Sequence, residues 1–236
     1  MTEVLIAGDR AELTALASDW IAREIRLAVS ERGHASVALA GGSTPQPIHA
    51  RLAELDLPWE HVTIFFGDER CVAADDPESN FGQAARSLFD PLGPRRPRVQ
   101  RMQGEDPDRS AAARRYAEEL PASLDLLILG IGDDGHTASL FPGSPALDET
   151  EQRVLPVIGP KPPPERLTIT PPVIEAARAV LMIGAGMAKA RAAHDALQGA
   201  DAVRETPAQL ARRGTWILDR DAASELSDEA THGKPS

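Results

Sequence analysis

One pattern limits this chain more than any other: short aliphatic or β-branched runs alternate with amphipathic stretches, and most of the runs end in a glycine-bearing polar loop. The runs fall at residues 4–6, 36–40, 62–66, 124–129, 179–183 and 215–218. Residues 10–32 place Leu13, Ala17, Trp20, Ile21, Ile25 and Ala28 at helical spacing, and Gly33 supplies the stop. Further helices are predicted at 77–89, 108–120 and 187–197, with a short one opened by Pro171-Pro172. Residues 91–106, rich in Pro, Arg and Gly, read as an irregular connector, and 141–166 hold two short strands among prolines. Strands that alternate with helices imply right-handed crossovers and a parallel sheet covered on both faces. The expected fold is therefore α/β, a mostly parallel sheet flanked by helices, with a small inserted lobe. A single domain is expected over residues 1–221, followed by a polar, disordered tail at 222–236.

Composition removes several classes of function. The chain has 236 residues, 42% hydrophobic and 26% charged, which suits a globular core without disulfide or metal staples. Its one cysteine, Cys71, excludes an intramolecular disulfide and fits the reducing cytoplasm. No apolar stretch approaches the roughly 20 residues of a membrane span, and the first residues lack the basic region of a signal peptide. A net charge of −11 repels nucleic acid and anionic membrane. A small molecule is the expected partner. If it is an anion, local cations and backbone N–H groups must outweigh the global field.

Four loops that follow strands carry the chemistry, and a parallel sheet opens all four on one edge, where ligands bind in such folds. Gly41-Gly42-Ser43-Thr44 runs into a helix at Pro45. Its glycines let backbone approach an anion and the helix start offers free N–H groups, although the same residues suit a tight turn with Ser43 or Thr44 as cap. Gly184 to Lys189 also opens a helix, with Lys189 about one turn in, where a phosphate or plain solvent would meet it. Gly67-Asp68-Glu69-Arg70 sets three charges after five apolar residues: a fork for phosphate or carboxylate, or a structural ion pair.

The sharpest loop is Gly130-Ile131-Gly132-Asp133-Asp134-Gly135-His136. Histidine ordinarily titrates near pH 6.5, which suits proton transfer, and a neighbouring carboxylate fixes its tautomer. A cap for a helix starting at Thr137 is the structural alternative. One His with two Asp lacks further ligands for a metal site. The other histidines (His34, His49, His61, His194, His232) read as surface residues. Cys71 has no histidine placed to make it a nucleophile.

These segments, with Asn80-Phe81, the run Thr137 to Gly143 and Lys161-Pro162-Pro163-Pro164-Glu165-Arg166-Leu167-Thr168, resemble the 6-phosphogluconolactonases, a branch of the glucosamine-6-phosphate deaminase-like superfamily. The resemblance spans residues 39–198 in order. It implies a modified Rossmann-like fold and hydrolysis of 6-phospho-D-glucono-1,5-lactone in the oxidative pentose phosphate pathway, with no redox cofactor and no required metal. It implies His136 as general base with Asp134 beside it. Gly41, Gly42, Ser43 and Lys189 are implied at the phosphate end, and Asp68, Arg70 and Arg166 as further substrate-binding residues.

Two rivals are weighed by residue. The deaminase branch carries a ring-opening glutamate five residues after the loop histidine, where this chain has Phe141. A sugar-phosphate sensor on a transcription regulator needs a DNA-binding segment, whereas this acidic chain is expected to enter its first strand by Val4.

Overall fold

The computed structural model describes residues 2–227. In chain order the elements are β1 (Glu3–Ala7), α1 (Arg10–Arg32), β2 (Ala35–Leu39), α2 (Pro45–Glu54), β3 (Val62–Phe66), β4 (Asp68–Arg70), α3 (Asn80–Ala84), α4 (Asp90–Leu92) and β5 (Arg98–Val99). They continue as α5 (Arg109–Glu119), β6 (Leu126–Gly130), β7 (Val154–Ile158), β8 (Glu165–Ile169), α6 (Pro171–Ala176), β9 (Ala179–Gly184), α7 (Ala190–Leu197) and β10 (Thr215–Asp219). Among these residues no helix is long and apolar enough to cross a membrane.

Seven strands form one sheet in the order β1-β10-β9-β6-β2-β3-β5, and every pairing in it is parallel. Alternate residues of each strand feed opposite cores. Val37, Ile64, Leu126, Leu181 and Ile217 pack on one face, and Ala38, Phe65, Leu127, Met182 and Trp216 on the other. That double burial explains the continuous apolar runs. The chain winds one way through β2, β3 and β5, then returns to β6 on the other side of β2. A crevice opens at that switch, between the ends of β2 and β6.

Helix α1 follows the predicted stripe. Asp9 caps its start by accepting from the Glu12 amide at 2.9 Å, and Gly33 ends it at φ 76°. Tyr116 fixes the end of β3. Its buried hydroxyl accepts from the Phe66 amide at 2.7 Å and donates to the Phe66 carbonyl at 3.0 Å. Strand β5 pairs only with Thr63 and Ile64, so a side chain satisfies backbone groups that the sheet leaves open.

A second, antiparallel sheet, β4-β8-β7, forms the expected lobe. Residues 68–70, expected in a loop, are thus a strand, because β8 returns to pair with them. Part of the 91–106 connector is strand as well: β5 seals the edge of the large sheet. The 77–89 helix begins later, at Asn80, where the Ser79 hydroxyl caps it by accepting from the Gly82 amide, and it passes through a π turn at 85–89. Lys189 stands at the cap of α7, preceded by a single 3-10 turn, so that helix starts after the lysine.

No helix begins at Thr137; a tight bridge from Thr137 to Leu140 takes its place. His49, read as a surface residue, is buried on α2 against Ser87. Packing continues past residue 221, with Ala222 and Ala223 buried and the Ala222 amide bonded to Asp219 at 2.8 Å. Residues 228–236, including His232, lie outside the described residues.

Candidate active site

A cleft of about 240 Å³ lies over the crevice. All four predicted loops line it. Gly41, Gly42 and Ser43 come from the end of β2, Asp68 and Arg70 from β4, Gly130 to Asp133 and His136 from the end of β6, and Lys189 from the end of β9. Arg166 joins them from β8. Asp134 stands directly behind His136.

The histidine loop is built around close contacts. The His136 ring Nδ1 lies 2.5 Å from Asp134 Oδ1, and the same oxygen accepts the His136 amide at 3.1 Å. A β-carbon on Gly132 would sit 2.0 Å from that ring nitrogen, so only glycine admits the imidazole there. Burial, the largest influence on Asp134, pushes its carboxyl up, but the hydrogen bond and charge of His136 outweigh it and bring the carboxyl down to about 2. Asp134 is therefore an anion at neutral pH. An Nδ1–H bonded to it leaves Nε2 as the free basic nitrogen. The ring of Phe141 packs against the imidazole, with centroids 4.8 Å apart.

The glycine loop after β2 is open. Thr44 occupies the cap position of α2 in a helical conformation without a side-chain cap bond. Thr44, expected with Ser43 as a cap, makes no such bond; in the first turn of α2 only Gln46 carries an N–H, since Pro45 and Pro47 have none, and the Gly42 amide before it donates to Gln83 Oε1 at 3.1 Å. Gly41 has no room for a side chain, since a β-carbon would lie 1.8 Å from Asn80 Oδ1.

Arg70 and Arg166 are directly opposed across β4 and β8. Like charges so placed repel. Arg166 is 6% exposed, and burial followed by the charge of Arg70 pushes its guanidinium down from its ordinary value. It donates to the carbonyls of Pro163 and Lys161, and its guanidinium lies over Phe141. Arg70 donates to the Glu78 carbonyl at 2.8 Å, while its Nε is buried without a partner. Two guanidiniums thus line one cleft, and Arg70 also meets the Glu78 carboxylate at 3.4 Å.

Several residues here escaped the sequence reading. Asn80 and Ser139 bind the two oxygens of Asp68, at 3.0 and 2.5 Å. Glu69, buried, accepts from the amides of Arg70, Asn80 and Phe81 and from the Ser79 hydroxyl, which sets the segment beneath Gly41. Burial raises its pKa. Lys161 reaches across the mouth to Asp133 at 2.6 Å. Each lies in a quoted motif or beside one, but the motif gave no partner. Burial pushes the Cys71 thiol up to about 11, which removes it as a nucleophile at neutral pH.

The model of the family described as "Glucosamine-6-phosphate isomerases/6-phosphogluconolactonase" matches residues 8–218. A 6-phosphogluconolactonase of Streptomyces coelicolor is 39% identical, over 95% of this chain and 94% of that one. One from Synechocystis is 35% identical, over 87% and 90%. The solved 6-phosphogluconolactonase of Trypanosoma brucei superposes with a TM-score of 0.84 at 29% identity, covering 96% of this chain and 99% of that one. A monomeric glucosamine-6-phosphate deaminase superposes at 0.82 with 25% identity, covering 94% and 99%.

Proposed function

The chain belongs to the glucosamine-6-phosphate isomerase/6-phosphogluconolactonase family, and we propose that it hydrolyses 6-phospho-D-glucono-1,5-lactone to 6-phospho-D-gluconate in the oxidative pentose phosphate pathway. The observation that carries this reading is the His136–Asp134 pair at 2.5 Å, set in a cleft that also holds two opposed arginines. The cytoplasm is the proposed compartment, in keeping with a single unpaired cysteine. A small sugar phosphate, rather than nucleic acid or a membrane, is the proposed partner of this acidic chain.

His136 Nε2 takes a proton from water as the water oxygen bonds to C1. The carbonyl electrons move onto oxygen. When they return, the bond from C1 to the ring oxygen breaks, and the imidazolium gives its proton to that oxygen. The atoms balance with water alone, and the reaction needs no covalent intermediate. Asp134 holds the tautomer and stabilises the imidazolium. The Gly41-Gly42-Ser43 loop and Lys189 receive the phosphate, with Gln46 the first-turn N–H of α2, since Pro45 and Pro47 carry none and the Gly42 amide is held by Gln83. Arg70 and Arg166 supply fixed positive charge for substrate oxygens.

Phe141 weighs against the deaminase reading. It is 6% exposed and packed on His136, and it carries no group that moves a proton. The test is lactone turnover with spontaneous hydrolysis subtracted. His136→Ala is expected to lower kcat by roughly 10²–10⁴-fold. An undiminished rate removes His136 from the mechanism, and ammonia release from glucosamine 6-phosphate would reassign the activity.

A further inference from the structure

Asp68 lines the cleft, yet both its oxygens are already engaged, one by Asn80 in the same cleft wall and one by Ser139 behind it. Asn80 Nδ2 donates to Oδ1 at 3.0 Å, and Ser139 Oγ donates to Oδ2 at 2.5 Å. Ser139 is 0% exposed and does not reach the cleft. Its amide donates to Thr168 Oγ1 at 3.1 Å, on the strand that pairs with Asp68. The residue before it, Ala138, holds φ at 48°, a left-handed conformation that a non-glycine residue adopts only at a cost. That turn brings Ser139 inward, three residues after His136. A costly backbone conformation is thus maintained where it delivers one hydroxyl to one carboxylate.

The carboxylate torsion of aspartate is soft, so the plane of Asp68 is set by its partners. An ionised carboxylate has about four acceptor sites, and the two donors fill two. A carboxylate repels phosphate and carbonyl oxygen. What it can accept from a sugar phosphate is a hydroxyl. We infer that Ser139 is a positioning residue, which orients Asp68 from behind the cleft so that the carboxylate accepts a ring hydroxyl of the substrate and selects for it. The inference rests on the lactonase reading of the cleft.

The experiment compares 6-phosphogluconolactone with its 2-deoxy, 3-deoxy and 4-deoxy analogues. The wild type is expected to favour the parent over one analogue by about tenfold in kcat/KM, the share of a hydrogen bond to a charged group. In Ser139→Ala that preference collapses toward one. Ser139→Cys, near in size but a weak donor, is expected to fall between and serves if the alanine variant does not fold. General loosening of the cleft would slow all four substrates alike and leave the ratio intact. Hydrolysis with the same ratio in wild type and variants overturns this inference alone. No hydrolysis of the parent by the wild type overturns the lactonase reading and this inference with it.

Discussion

Two charged clusters sit at opposite ends of the large sheet, and they are built differently. At the amino end, Asp125 is buried and surrounded by donors. It accepts from the Ser36 amide and hydroxyl at 2.8 and 2.7 Å and from Arg32 at 2.8 Å, with Arg178 at 3.5 Å. Its charge is met from several sides. At the carboxyl end, Arg70 and Arg166 oppose each other, and one guanidinium nitrogen is buried without an acceptor. The first cluster is closed and fastens α1 and β2 to β6. The second is only partly closed: Arg70 meets Glu78 at 3.4 Å, whereas the only hydrogen-bond acceptors of the Arg166 guanidinium among the described residues are backbone carbonyls, and a bound anion would complete it. A structural ion cluster satisfies itself, whereas a binding cluster leaves its charge for the ligand.

Breaking each cluster should therefore give opposite signatures. Asp125→Ala is expected to cost about 3 kcal/mol of stability, the low end for a buried pair because Arg178 and Arg32 reach water. Its kcat/KM should stay near wild type, as read by denaturant titration beside a lactone assay. A kinetic defect without a stability defect would contradict the division. Arg166→Met should lower kcat/KM by about 10–100-fold while the melting temperature moves little, since a repulsive pair is relieved as hydrogen bonds are lost. Inhibition by inorganic phosphate sharpens the assignment. It weakens together with KM if the guanidinium meets phosphate, and kcat alone falls if it meets the C1 oxygen.

His49 supplies the smallest effect. Burial lowers its pKa from 6.5 to about 4. The folded state keeps it neutral while the unfolded chain takes up a proton. Its contribution to stability is present above pH 6.5 and is lost as the pH falls toward 4. Between about pH 7.5 and 5.5 the loss should be about 1 kcal/mol. His49→Leu should flatten that slope in denaturation curves, and an unchanged slope would assign the pH dependence elsewhere.

The sheet was legible because its signals are local. Residues 36–40 and 62–66 are apolar almost throughout because both faces are buried, and Gly33 stops α1 through its own left-handed conformation. The loops of His136 and Gly41 were legible for the same reason: glycine marks close approach, and the histidine and its carboxylate lie two residues apart. His49 was misread because a histidine on an amphipathic stretch does not say which face it occupies.

By itself, then, the sequence determined six of the seven strands of the large sheet with the main helices between them, the glycine loops at their ends, and a histidine with two carboxylates close by, each within a few residues. Only the tertiary structure decided what β4 meets. Its pairing with β8 brings Arg70 against Arg166, far along the chain, and the same packing seats Ser139 and Asn80 on Asp68. Such contacts follow from how buried surfaces fit across the whole chain, a choice that no local periodicity encodes.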